Sequence, residues 1–265
     1  MLTTTLDGLW ALQVLSGIEV LAPELGLRPH LPSVETRQAA LTHPVAEELL
    51  GAGVIDASGA VDATVLEWLT VLSRRDVALL LHTRELSGAL TRTLLARFAQ
   101  WWVSIELSDD LITLSGVATT SCEQSAALAI VTQIDRLCGP MPASRMRPVT
   151  IRTDELLGAV RDEAGLQRFL RQKRFEADQI RTLTLAANPK RSRQTSIVAL
   201  QSTHIDPGAL TVIDTPEGRL VSEHMLHGGT GWMVVTPGSS DALASAVRNL
   251  MRRLPHTWFS HRKAV

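Results

Sequence analysis

Trp101-Trp102-Val103-Ser104-Ile105-Glu106-Leu107, then Ser108-Asp109-Asp110, then Leu111-Ile112-Thr113-Leu114-Ser115-Gly116 is one passage of two extended runs around a polar turn. Alternation of period two sends Trp101, Val103, Ile105 and Leu107 to one face of a strand, and Trp102, Ser104 and Glu106 to the other. Ser108-Asp109-Asp110 reads as a hairpin turn. Two more extended runs, Asp76–Thr83 and Arg92–Ala99, come just before. Four strands then follow one another across connections too short for helical crossovers, so the sheet is expected to be largely antiparallel.

Outward from that core the chain has a recurring order. It opens on a β-branched run, Leu2-Thr3-Thr4-Thr5-Leu6, which Asp7-Gly8 is expected to break before the apolar Trp10, Leu12, Val14 and Leu15. Helical stretches are expected at Ser33–Leu50 and Ala63–Leu72, and after the strands at Cys122–Cys138, with Ala127, Ile130, Val131, Ile134, Leu137 and Cys138 on one face. The second half repeats this. A strand Arg147–Ile151 precedes a helix Asp154–Asp162 that Thr153 can cap, then helical stretches Leu166–Lys173 and Phe175–Ala187. Strands return at Thr195–Ser202, Ala209–Asp214, Arg219–Met225 and Trp232–Thr236, before a closing helix that carries Leu243, Val247, Leu250 and Leu254. Ala127-Leu128-Ala129 and Ala242-Leu243-Ala244 align without gaps, each followed thirteen residues after its first alanine by Pro140 or Pro255. The expectation is one domain over 1–265 built from two quasi-two-fold related halves, 1–142 and 143–265, with helices packed on a central twisted sheet.

Composition narrows the class. Of 265 residues 45% are hydrophobic and 20% charged, the balance of a folded globular protein. No basic segment precedes an apolar one at the start, and no apolar run approaches the roughly 20 residues of a membrane span, so a soluble cytoplasmic protein is expected. Cys122 and Cys138 lie at opposite ends of one helix, about 24 Å apart at the helical rise, too far for the roughly 7 Å reach of a disulfide. Both read as small apolar core residues. Residues 1–139 hold 8 Arg and no Lys against 16 acidic residues, and residues 140–265 hold 18 Lys and Arg against 11, so the two halves attract.

The search for chemistry finds little. His224 and His227 are three apart on a strand, where alternation separates them, and they do not form a helical metal-binding pair. The adjacent carboxylates Asp109-Asp110 and Glu47-Glu48 diverge and make no acid–base pair. Gly51-Ala52-Gly53 follows a helix and Gly228-Gly229-Thr230-Gly231 precedes a strand, so both are turns, without the strand-then-helix context of a phosphate loop. No catalytic residue, metal site or cofactor is expected, and an enzyme would need a diffuse site assembled from distant segments. Nine cations fall between Arg161 and Arg193, which suggests nucleic acid. Tyrosine is absent and only Phe169 and Phe175 interleave, so stacking platforms are lacking and a solvated helix face, or a surface answering the acidic first half, is the competing reading. Trp102, among polar neighbours, is either covered by a helix or an anchor on a binding surface.

Several stretches carry a family resemblance. Asp7-Gly8-Leu9-Trp10-Ala11-Leu12-Gln13 with Pro23-Glu24-Leu25 and Arg28-Pro29, Trp101-Trp102-Val103, and Leu254-Pro255-His256-Thr257-Trp258 with His261 resemble the EspG family, the secretion-associated chaperones of mycobacterial type VII (ESX) systems. The resemblance spans essentially the whole chain. It implies an α/β (α+β) fold with a central antiparallel sheet, quasi-two-fold subdomains and N- and C-terminal helical bundles. It also implies a cytosolic protein without catalytic activity that binds the PPE subunit of PE–PPE heterodimers at its apolar tip, no nucleic acid or membrane partner, and a monomer or weak homodimer when free. In the family the contact surface is the loop between the second and third strands, the adjoining sheet and the C-terminal bundle. Carried over by element order, it takes in Arg84, Glu85, Leu86 and Leu90 from the loop, Trp102 from the sheet, and Phe169, Phe175, Ile180 and Leu183 from the bundle. The loop Glu85–Thr91 is shorter than in many relatives. A charge placed at Phe175 or Leu183 is expected to abolish the complex and spare the fold.

Overall fold

The computed structural model describes residues 1–201, 204–206 and 208–255. Its contacts group Met1–Leu80 with Thr91–Ser121 in a first unit, and Leu81–Leu90 with the chain from Cys122 onward in a second. The His256–His261 part of the family resemblance lies outside the described residues.

In the first unit β1 (Leu2–Thr5) runs straight into α1 (Leu6–Ser16). The expected break at Asp7-Gly8 does not occur. The Thr5 hydroxyl accepts the Gly8 N–H at 3.2 Å as an N-cap, and Asp7 sits in the first turn, where the helix dipole favours its charge. Gly8 is there for clearance, since a Cβ would stand 1.8 Å from the Thr4 hydroxyl oxygen. The single helical stretch expected over Ser33–Leu50 is two short helices, α2 (Arg37–Thr42) and α3 (Val45–Gly51). Pro44 forces the split: the residue before a proline is pushed out of the helical region, and His43 is extended at ψ 140°.

Helix α4 (Ala63–Arg74) is capped by Asp62, which accepts from the N–H groups of Thr64 and Val65. Strands β2 (Val77–Arg84), β3 (Leu90–Phe98), β4 (Trp101–Ser108) and β5 (Leu111–Thr119) follow, and the hydrogen-bonded order in this unit is β1-β5-β4-β3-β2. Asp109, at φ 52°, turns the β4–β5 hairpin where the sequence places it. Helix α1 packs on β1 and β5, and α4 on β4 and β5. Leu12, Leu69, Leu79, Leu94, Ile105 and Leu114 are fully buried.

In the second unit α5 (Glu123–Cys138) precedes β6 (Val149–Arg152), α6 (Thr153–Ala159), α7 (Glu163–Gln172) and α8 (Ala177–Ala187). Strands β7 (Arg193–Gln201), β8 (His204–Ile205), β9 (Leu210–Thr215), β10 (Gly218–His227) and β11 (Thr230–Pro237) lead to α9 (Ser240–Arg252). The order is β2-β7-β9-β10-β11-β6, with β8 beside β7, and the Leu81–Arg84 end of β2 belongs to this unit. The β7–β9, β9–β10, β10–β11 and β11–β6 ladders are all antiparallel. Gly228 and Gly229, both at positive φ, make the tight β10–β11 turn, as two-residue hairpins require.

Along β10 alternation sorts the two faces. Leu220 points to the layer of α7 and α8, joining Leu166, Phe169, Leu170 and Leu183 in a core that includes Val149, Ile151 and Val235. Glu223 points the other way and accepts from Asn249 of α9, which packs on α5. On that second face Arg219, 2% exposed, holds Asp214 with Nε and Nη2 at 2.7 and 3.0 Å, reaches Asp135 of α5, and donates to the Gly139 carbonyl at 2.8 Å. A buried cation is tolerable only with such complete pairing.

Two local expectations fail here. Thr153 does not cap α6; it is the helix's first residue, its hydroxyl lies against Gly231, and Asp162 instead caps α7 by accepting the Gly165 N–H at 2.6 Å. Of the two cysteines only Cys138 is a core residue. Cys122 is exposed and caps α5 reciprocally with Ser125, whose hydrogen bonds to the sulfur lower the thiol pKa.

Candidate partner-binding site

The β2–β3 hairpin presents its apolar side chains outward. Its turn closes through Glu85 N–H to the Ala89 carbonyl and Gly88 N–H to the Glu85 carbonyl, each 2.9 Å, with Gly88 at φ 89°. Leu86 and Leu90 are 58% and 66% exposed. Below them the hairpin is fixed to β7: Arg84 Nη2 donates to Gln194 Oε1 at 2.8 Å, and Arg193 Nε donates to Glu85 Oε2 at 2.8 Å. Arg193 also donates to the Cys138 carbonyl, which fixes the guanidinium from behind. Two leucines thus stand in water on a tip whose base is held by polar pairs, the arrangement of an apolar anchor with a polar rim.

The bundle residues divide. Phe169 and Leu183 are core, 4% and 7% exposed, while Phe175 and Ile180 pack against that core and stay half-buried. The expectation that a charge at Leu183 spares the fold is therefore corrected, because a carboxylate there would be buried without a partner. Phe175 borders a recess of about 240 Å³ shared with Phe169, Ile151 and Trp232. Its rim is polar: Lys173 Nζ pairs with Glu155 at 2.5 Å and stands 5.8 Å from the Phe169 ring centre, and Arg152 pairs with Asp154 at 2.6 Å. Sequence reasoning named Phe175 and missed Trp232, whose place beside β6 depends on the β11–β6 pairing.

Trp102 belongs to the first unit and is 2% exposed, with its indole N–H on the Thr120 hydroxyl at 3.0 Å. Buried, it offers no anchor to a partner, and the covered-tryptophan reading is the one that fits. Its neighbour Trp101 is 51% exposed and lines a groove of about 890 Å³ with Leu66, Trp68, Phe98 and Val117. The register shift between Trp102 and Val103 against β5 breaks the strict alternation at this strand end.

Three of the nine cations in the basic run are paired inside their own unit. Lys173 pairs with Glu155, Arg181 with Glu217 and Arg193 with Glu85, while Arg168 and Arg171 lie on the solvent face of α7. Among the described residues no group of three or more His, Cys, Asp or Glu is placed to hold a metal ion, and no helix is long and apolar enough to cross a membrane.

A mixed α+β scaffold thus displays an apolar hairpin tip and a polar-rimmed recess on one unit. The EspG family profile matches residues 5–249, and the chain belongs to that family. It is 45% identical, over the full length of both chains, to the ESX-2 secretion-associated protein EspG2 of Mycobacterium tuberculosis H37Rv. To the ESX-3 secretion-associated protein EspG3 of Mycolicibacterium smegmatis it is 28% identical, covering 96% of this chain and 88% of that one. Among solved structures it is similar in fold to the Mycobacterium tuberculosis type VII secretion system chaperone EspG5, solved in complex with a PE25–PPE41 dimer. That likeness has a TM-score of 0.77 at 21% identity and covers 98% of this chain and 99% of that one. The sequence resemblance to the family is borne out.

Proposed function

We propose that this chain is a cytoplasmic, non-enzymatic chaperone of an ESX secretion system that binds the PPE subunit of a PE–PPE heterodimer, keeps the pair soluble and directs it to export. The observation that carries the reading is the full-length likeness to EspG proteins, one of which was solved with a PE–PPE dimer bound. The contact surface is read as the β2–β3 tip, through Arg84, Glu85, Leu86 and Leu90, together with Phe175 and the half-buried Ile180 of the bundle. Exposed leucines on a braced tip support that reading, because they add apolar contact area at little ordering cost.

The test is co-expression with PE–PPE pairs from the same locus followed by size-exclusion chromatography. One pair is expected to co-elute with the chain as a single species. Elution apart from every such pair would overturn the reading.

A further inference from the structure

Beneath α6, α7 and α8 lies a cavity of about 230 Å³ whose other wall is the face of β9, β10 and β11. Its ceiling is apolar, from Leu166, Leu170 and Leu183, all buried. Its floor holds one polar anomaly. Ser222 is 3% exposed, and its hydroxyl has no hydrogen-bond partner among the described residues. The register explains how it comes to be there: alternation along β10 turns Leu220, Ser222 and His224 toward the helices, with Thr211 and Val235 as the neighbours of Ser222 on either side. Buried hydroxyls are almost always satisfied, so one aimed into a cavity marks a place for a group that completes it. The cavity opens on one side, where Leu156, Thr211, His224 and Met233 are only half-buried.

Size and polarity together select the occupant. A cavity of about 150 Å³ suffices for a benzene ring, so this one accommodates a ring with a substituent. The apolar ceiling suits the ring, and Ser222 at the floor suits a single hydroxyl. A phenol meets both demands. This chain contains no tyrosine, so no side chain of its own, or of a second copy, can supply one. We propose that the cavity receives one tyrosine side chain of the bound client, its phenolic hydroxyl exchanging a hydrogen bond with Ser222. The source of the tyrosine rests on the client-binding reading above; the phenol chemistry rests on the cavity alone.

The probes are p-cresol, which is the tyrosine side chain, and toluene, which lacks only the hydroxyl, each titrated into the full chain and followed by NMR. Saturable binding of p-cresol, about tenfold tighter than toluene, is expected, as one hydrogen bond to an otherwise unpaired group provides. Ser222→Ala, which removes only the hydroxyl, should bring the two compounds to within about twofold. Equal binding of both compounds to the unmodified chain, or binding of neither, overturns the proposal. A PE–PPE pair that co-elutes should displace p-cresol; a complex that forms without displacing it sinks the tyrosine and leaves the chaperone reading intact. If no pair co-elutes, Ser222-dependent p-cresol binding still upholds the phenol site while the chaperone reading fails.

Discussion

The β2–β3 tip and the α7–α8 layer are both apolar segments of the second unit, but they use their side chains in opposite ways. Leu86 and Leu90 stand more than half exposed on a turn braced by Glu85–Arg193 and Arg84–Gln194. Phe169 and Leu183 are closed into a core with Leu220 and Val235. The tip carries no burden of stability and is free to serve contact, whereas the layer must first hold the fold. Phe175, beside its recess, and Ile180 stand between these roles.

The largest expected effect breaks the comparison on the core side. Leu183→Ala should cost about 2–5 kcal/mol through lost burial and the cavity left behind, read as a lower midpoint in urea denaturation. Unchanged stability would take Leu183 out of the core.

On the tip the expectation is reversed. The double substitution Leu86→Glu and Leu90→Glu should leave stability within about 0.5 kcal/mol and weaken client binding by about 2 kcal/mol, roughly thirtyfold, in titration calorimetry. Unchanged affinity would remove the tip from the interface. The smallest effect concerns the brace. Glu85→Gln unpairs Arg193 at a part-exposed site and should cost no more than about 1 kcal/mol in stability, with a few-fold faster client dissociation by surface plasmon resonance. A larger binding loss than that of the leucine pair would make Glu85 itself the main contact.

Much of this was readable in the residues. The alternating runs at Trp101–Leu107 and Leu111–Gly116, with Ser108-Asp109-Asp110 between them, became an antiparallel hairpin because period-two patterning and a polar turn are local properties. Helices α5 and α9 followed from their apolar stripes for the same reason. Where the reading failed, a second local signal had the stronger claim: Pro44 over an otherwise helical stretch, and the Thr5 cap over Asp7-Gly8. The candidate site was half legible. Leu86 and Leu90 fall between two strands, so position alone suggests exposure, but nothing in the spelling of Phe169 and Phe175 separates a core ring from a rim ring.

The sequence by itself determined the family, the alternation of strands and helices and the antiparallel character of the sheet, since each is written in neighbouring residues. The tertiary structure alone decided which apolar residues are core and which are surface, that Trp102 is buried while Trp101 is open, and that Ser222 faces a cavity. Those properties depend on what the far ends of the chain bring alongside, through strand register and helix packing, and no local pattern encodes them.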